Sequence, residues 1–206
     1  MIQPETPWNE LLTAVQACRL CIDKPLGYPL PHEPRPVVQF SAAARVLIAG
    51  QAPGTRAHAS GRPFTDPSGD RLRHWLGVGS EVFYDATRLA ILPMGFCFPG
   101  LSPKGADLPP RRECAPQWRA RLMPHLANLN LIVTLGLPAA RWHLANDPPQ
   151  SLAAALAGWR RHVERTPPVV VLPHPSWRNN AMLKANPWIE GEIIPALQKL
   201  VSRALD

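Results

Sequence analysis

Three groups of residues in this chain could do chemistry. The first is Gly50-Gln51-Ala52-Pro53-Gly54, which follows the apolar run Val46 to Ala49 and precedes Gly61-Arg62-Pro63-Phe64. Glycine admits unusual backbone angles and proline fixes its own, so such a loop can hold backbone amides toward a ligand. The second is His174-Pro175-Ser176, directly after the apolar run Val169 to Leu172. An imidazole at a strand end can move a proton, although a lone histidine there more often serves structure. The third is the cysteine set, Cys18-x2-Cys21 and Cys97-x16-Cys114. Four thiolates suit a [4Fe-4S] cluster or a structural zinc, and unligated thiols are the remaining alternative. No Gly-Lys-Ser/Thr loop and no Gly-x-Gly-x-x-Gly turn occurs, which sets aside both common phosphate-binding fingerprints.

The elements that must position these groups follow from periodicity. Apolar runs at Arg45 to Ala49, within Phe83 to Leu92, at Leu131 to Leu135 and at Val169 to Leu172 read as buried strands. Helical spacing predicts a helix over Trp8 to Cys18, opened by Thr6-Pro7, and another opened by Asp66-Pro67 and running to Leu76. Further helices are predicted over Cys114 to Leu129 with a kink at Pro124, over Pro138 to Asn146, and over Ser151 to Trp159. A closing helix after Asn186-Pro187 carries the stripe Ile189, Ile193, Leu197, Leu200, Val201 and Ala204. Segments 25–41 and 101–110 are Pro-rich and aperiodic, hence loops. Apolar strands alternating with helices imply an α/β fold, a three-layer α/β/α arrangement around a central four-stranded parallel sheet, in one domain spanning 1–206. Ligands collect at the carboxyl ends of such strands. If the first and fourth strands are central neighbours, the loops after them meet and form the site.

Composition bounds the partner. A net charge of +7 and a pI near 9.8 suit a polyanion such as nucleic acid. With 26 prolines but 46% hydrophobic residues and seven tryptophans, the chain predicts a packed core with rigid loops rather than disorder. The N-terminus has neither a basic start nor an apolar run, and no 18-residue apolar stretch occurs, so the expectation is a soluble, cytoplasmic monomer without a membrane partner. Cysteines in a reducing compartment are not expected to pair as disulfides.

Gly-Gln-Ala-Pro-Gly followed at fixed spacing by Gly-Arg-Pro-Phe resembles the first motif of the uracil-DNA glycosylase superfamily, and is most similar to its iron-sulfur-containing family four/five branch. That branch carries Gly-Glu-Ala-Pro-Gly, an acidic pair and Gly-Arg-Pro-Phe-Val-Gly. Here Gln51 stands for the glutamate, Ala57 and His58 for the acidic pair, and Asp66 for the last glycine. His174-Pro175-Ser176 resembles the second motif, and the cysteine layout is similar to the cluster ligands of families four and five.

The resemblance implies a DNA repair glycosylase that flips a deaminated base, uracil foremost, out of DNA and hydrolyses its N-glycosidic bond. It implies that His174 donates to the uracil oxygen that gathers charge, that Phe64 stacks on the extruded base, and that Gly50, Gln51, Ala52, Pro53, Gly54 and Ser176 line the pocket. Gln51 can orient water but cannot take its proton, so Asp70, His58 and Asp66 are candidate bases, Asp66 being better suited to capping a helix. Pro93 stands where the branch carries an asparagine that reads the uracil edge. Trp177, Arg178 and Asn179 occupy the place of the duplex-inserting segment, and Arg56, Arg62, Arg71 and Arg73 could meet phosphates. Cys18, Cys21, Cys97 and Cys114 would hold a [4Fe-4S] cluster. The departures at 51 and 93 leave an alternative: a catalytically weak or inactive protein of the same fold that binds lesions or abasic sites.

Overall fold

The computed structural model describes residues 7–206. Thr6, expected to open the first helix, lies outside them. In chain order the elements are α1 (Pro7–Gln16), α2 (Leu20–Asp23), β1 (Val46–Ala49), α3 (Thr55–Ser60), α4 (Pro67–Leu76), α5 (Ser80–Phe83) and β2 (Leu89–Ile91). There follow α6 (Ala120–Leu122), β3 (Leu131–Leu135), α7 (Leu137–His143), α8 (Leu152–Ala157), α9 (Trp159–Val163), β4 (Val169–Leu172), α10 (Asn180–Ala185) and α11 (Ile194–Leu205). A π-helical turn over Ala115–Arg119 leads into α6, and another over Ile189–Ile193 leads into α11.

The four strands form one parallel sheet in the order β2-β1-β3-β4. Every residue of β1, β3 and β4 is buried, as a parallel strand covered on both faces requires. Alternation sends Val46, Ile48, Leu131, Val133, Val170 and Leu172 to one face, against Leu72 and Trp75 of α4 and Leu197 and Val201 of α11. Leu47, Ile132, Val169 and Val171 face the other layer, built from Leu11 and Val15 of α1, Leu122 of α6 and Ala140 of α7. The β2 edge is covered because Gln39 exchanges both backbone hydrogen bonds with Ile91, at 3.0 and 2.8 Å, which satisfies an otherwise open strand. Among the described residues no helix is long and apolar enough to cross a membrane.

Several sequence expectations change. β1 and β4 are not neighbours, because β3 lies between them, and β4 is an edge strand. Segment 55–60 forms α3 although it shows no apolar stripe. The helix expected over 114–129 ends by 125: a π-helical turn at its start and a 3-10 turn at Met123–His125 break it, and Pro124 lies inside that last turn. The helix expected over 151–159 continues after Gly158 as α9.

One polar pair sits deep in this frame. Arg119 is fully buried, and its Nη2 faces His143 Nε2 while Nη1 reaches Met123 Sδ at 3.4 Å. Burial, with the Arg119 charge adding to it, pushes His143 down to about 3, so the imidazole stays neutral and accepts from the guanidinium.

Candidate active site

A cavity of about 310 Å³ opens at the carboxyl ends of β1 and β2. Its walls are the loop Gly50 to Ala57, Pro63 and Phe64, Ile91 and Pro93, and, from the far side of the sheet, His174 and Arg178. Adjacent strands lie about 4.8 Å apart, so the β4 loop must reach over roughly 10 Å to meet the β1 loop across β3. The meeting of these loops therefore does not depend on adjacency of their strands.

Gly50 leaves the cavity clear: a methyl group there would stand 4.0 Å from Phe64 Cζ. The loop is pinned to the segment after β2, where Met94 N donates to Gly50 O at 2.9 Å and Gly95 N to Gln51 O at 2.8 Å. The Gln51 side chain lies over Gly136 at the end of β3, where a Cβ would come within 2.7 Å of its Nε2. Gly136 also has φ +88°, so both backbone angle and space require glycine there.

Phe64 is the residue held under most constraint. Its φ is +54°, a left-handed conformation that costs a non-glycine residue about 1–2 kcal/mol. Three contacts hold it: Tyr84 Oη donates to Phe64 O at 3.0 Å, Arg73 Nη1 donates to the same oxygen at 3.5 Å, and Gly69 of α4 packs against that carbonyl. A Cβ on Gly69 would fall 2.0 Å from Phe64 O. The ring then meets Phe83 edge-on, with centroids 5.9 Å apart. Strain held by surrounding structure at a cavity wall is a mark of a positioned functional group.

His174 is largely enclosed, and burial lowers its pKa; Asp66 and Asp107 oppose the fall, and Arg178 adds to it. The imidazole is therefore neutral at neutral pH and able to donate one hydrogen bond into the cavity. Its backbone is fixed by Asn179 Nδ2, which donates to His174 O at 2.7 Å.

The other residues singled out in the sequence fall in different places. Gly50, Gln51, Ala52, Pro53, Gly54, Phe64, Arg56, Asp66 and Arg178 line the cavity with His174. Ser176 does not; its carbonyl accepts from Arg71 Nη1 at 3.3 Å. Asp70 points away and pairs with Arg73 at 2.6 Å. His58 lies on the other side of α3, with its ring 4.4 Å from His32 and 5.8 Å from Phe98. Neither Asp70 nor His58 reaches the cavity, because the helical twist of α4 and α3 turns them away from it, a direction that closeness in sequence does not reveal. Arg62 stacks on Tyr84, 3.5 Å from the ring centre. Trp177 is 73% exposed on the 3-10 turn Trp177–Asn179 near the mouth. Sequence reading missed Asp107, which lines the cavity from the Pro/Gly loop, and also Gly69, Tyr84 and Gly136. Only the glycines had a signal in the sequence.

All four cysteines line a second, small cavity with Val15, Phe96 and Trp118. N–H groups point at two of the sulfurs: Trp118 Nε1 at Cys18 Sγ (3.0 Å) and Phe96 N at Cys114 Sγ (3.2 Å). Burial pushes the Cys21 thiol up to about 11 and those of Cys97 and Cys114 to about 12. Among the described residues no three His, Cys, Asp or Glu side chains are grouped as ligands of a single metal ion. Four thiols around one space, with N–H donors turned toward sulfur, fit a cluster in which each thiolate takes a different iron. A structural zinc takes the same four-thiolate ligand set.

Residues 37–198 match the family model of the uracil DNA glycosylase superfamily. Among solved structures, a candidate uracil DNA glycosylase from Methanosarcina acetivorans, determined by solution NMR, is similar at 15% identity and a TM-score of 0.48. The similarity covers 79% of this chain and 94% of that one.

Proposed function

Because the chain belongs to the uracil DNA glycosylase superfamily, we propose that it is a DNA repair N-glycosylase that takes a deaminated base, uracil foremost, out of the helix and hydrolyses its bond to the sugar. The observation that carries this reading is that Phe64 and His174, far apart in sequence, wall one cavity whose size suits a small ligand. A flipped pyrimidine would stack on the Phe64 ring, which its backbone contacts hold in one orientation. As the glycosidic bond lengthens, the departing base gains negative charge on its carbonyl oxygens. The neutral His174 imidazole would donate to one of them, and a preorganised donor of this kind lowers a barrier by about 3 kcal/mol. Gln51 would orient water without deprotonating it.

The net charge of +7 would draw the protein to DNA, with Arg56 and Arg178 at the mouth. Flipping a base costs a few kcal/mol, and the exposed Trp177 is the side chain best placed to fill the gap it leaves. Cys18, Cys21, Cys97 and Cys114 are proposed to hold a [4Fe-4S] cluster, which supplies a cross-link rather than reaction chemistry. It would join the segment after α1 to Cys97 and to the π-helical turn that follows Cys114.

Purified protein incubated with a uracil-containing duplex and then alkali should give strand breaks at the uracil. Gln51 favours one other reading, a protein that binds lesions or abasic sites without turnover. Intact strands across several deaminated bases, with salt-dependent retention of the damaged duplex, would establish that reading instead.

A further inference from the structure

Hydrolysis also needs a group on the sugar side of the bond, where cation character builds on C1′ and water must lose a proton. Gln51 cannot accept that proton, and His174 is committed to the leaving base. The remaining titratable side chains in the cavity wall are Asp66, Asp107, Arg56 and Arg178. Asp66 is engaged: its Oδ1 accepts from Ser68 Oγ at 2.6 Å and it sits at the start of α4.

Asp107 differs. It stands at the base of a hairpin in which Leu101 and Asp107 form an antiparallel bridge, with the turn closed by Ser102 N to Ala106 O at 2.7 Å. Arg178 Nη2 donates to Gly105 O at 3.4 Å, which ties the hairpin to the loop that carries His174. A methyl group on Gly54 would lie 3.9 Å from Asp107 Oδ2, so the carboxylate faces the β1 loop across the mouth. It has no hydrogen-bond or ion-pair partner among the described residues and is open to water.

We propose that Asp107 is the carboxylate that serves the sugar side of this pocket, taking a proton from the attacking water and offsetting the positive charge on C1′. The inference rests on the glycosylase reading. In the step, a water lone pair forms the O–C1′ bond while the C1′–N bond breaks and its electron pair leaves with the base. One water proton passes to Asp107, and the base anion, held by His174, later takes a proton from solvent. Since base, sugar and water must be stacked from the closed end of the cavity to its mouth, a carboxylate at the mouth lies on the sugar side. Its charge, like that of Asp66, is felt at His174.

The test is single-turnover base release from a uracil-containing duplex by the wild type, Asp107→Asn, Asp107→Glu and Asp66→Asn. Loss of a positioned base costs about 10²-fold or more. Asp107→Asn should therefore fall by about that factor while binding the duplex at least as tightly and unfolding at the same urea concentration. Asp107→Glu should recover part of the rate. Base release by Asp107→Asn within threefold of wild type overturns the assignment and leaves the glycosylase reading standing; so does a loss confined to Asp66→Asn. A wild type that releases no base from uracil or other deaminated duplexes removes the reading itself, and the role of Asp107 with it.

Discussion

Replacing Gly69 with alanine tests whether the posture of Phe64 is built into the fold. In an ordinary helix this change stabilises by about 0.5–1 kcal/mol, since alanine loses less backbone freedom. Here the new methyl would sit 2.0 Å from Phe64 O and 2.8 Å from Phe64 C. Carbon and oxygen rest about 3.3 Å apart at closest, so helix and carbonyl must separate by about 1.3 Å. The atom in the way is backbone and cannot rotate aside. Moving it breaks the 3.0 Å bond from Tyr84 Oη, worth about 1 kcal/mol, and adds an overpacking cost of about 1–3 kcal/mol. Set against the helix gain, the net loss is about 2 kcal/mol, or roughly 4–8 °C in Tm for a chain of this size. A ring displaced by about 1 Å should also slow base release by about 10²-fold. Urea denaturation and single-turnover release from a uracil duplex measure the two effects. A variant more stable than wild type and equally fast would refute the reasoning, because helix propensity would then have prevailed and the carbonyl contact would carry no constraint.

His174→Ala should cut single-turnover release by about 10²–10³-fold with little change in duplex affinity, measured by fluorescence anisotropy; equal rates would remove His174 from the reaction. The buried histidines make stability depend on pH. Because His143 is pushed down to about 3 and burial also lowers His174, the unfolded chain takes up their protons first, so stability falls as pH drops below about 6.5. His143→Gln keeps an acceptor for Arg119 without the titration, and should remove about 2.5 kcal/mol of the loss between pH 6.5 and 4.5, read from urea midpoints; parallel curves would contradict this. Anaerobically purified protein should show the broad visible absorption of an iron-sulfur cluster and about four iron atoms per chain, both lost in a Cys97→Ser, Cys114→Ser variant. Zinc without iron, or neither metal, would reject the cluster.

The strands, the two site loops and the cysteine set were legible in the sequence for definite reasons. Runs such as Val46 to Ala49 and Val169 to Leu172 are apolar on both faces, and only a strand covered on both sides buries them. The residues that stop strands also build loops, so Gly50 marks both a strand end and a cavity wall, and Pro173 ends β4 just before the wall residue His174. Strand order was beyond reach, because a run of buried residues records that a strand is covered and not which strand lies beside it. β3 accordingly separates β1 from β4, although their loops meet.

Only the tertiary structure decided which polar groups face the cavity. Asp70 and His58 are close to the first loop in sequence, yet the twist of their helices turns them toward Arg73 and toward His32. Asp107 is distant in sequence and has no neighbouring motif, yet its hairpin brings it to the mouth. The posture of Phe64 is likewise a property of the fold, since a left-handed phenylalanine persists only where Gly69, Arg73 and Tyr84 together outweigh its strain. Sequence sets local backbone preference and the pattern of burial. The direction of a side chain, and the balance of charge around it, come from contacts between segments that the chain brings together only when folded.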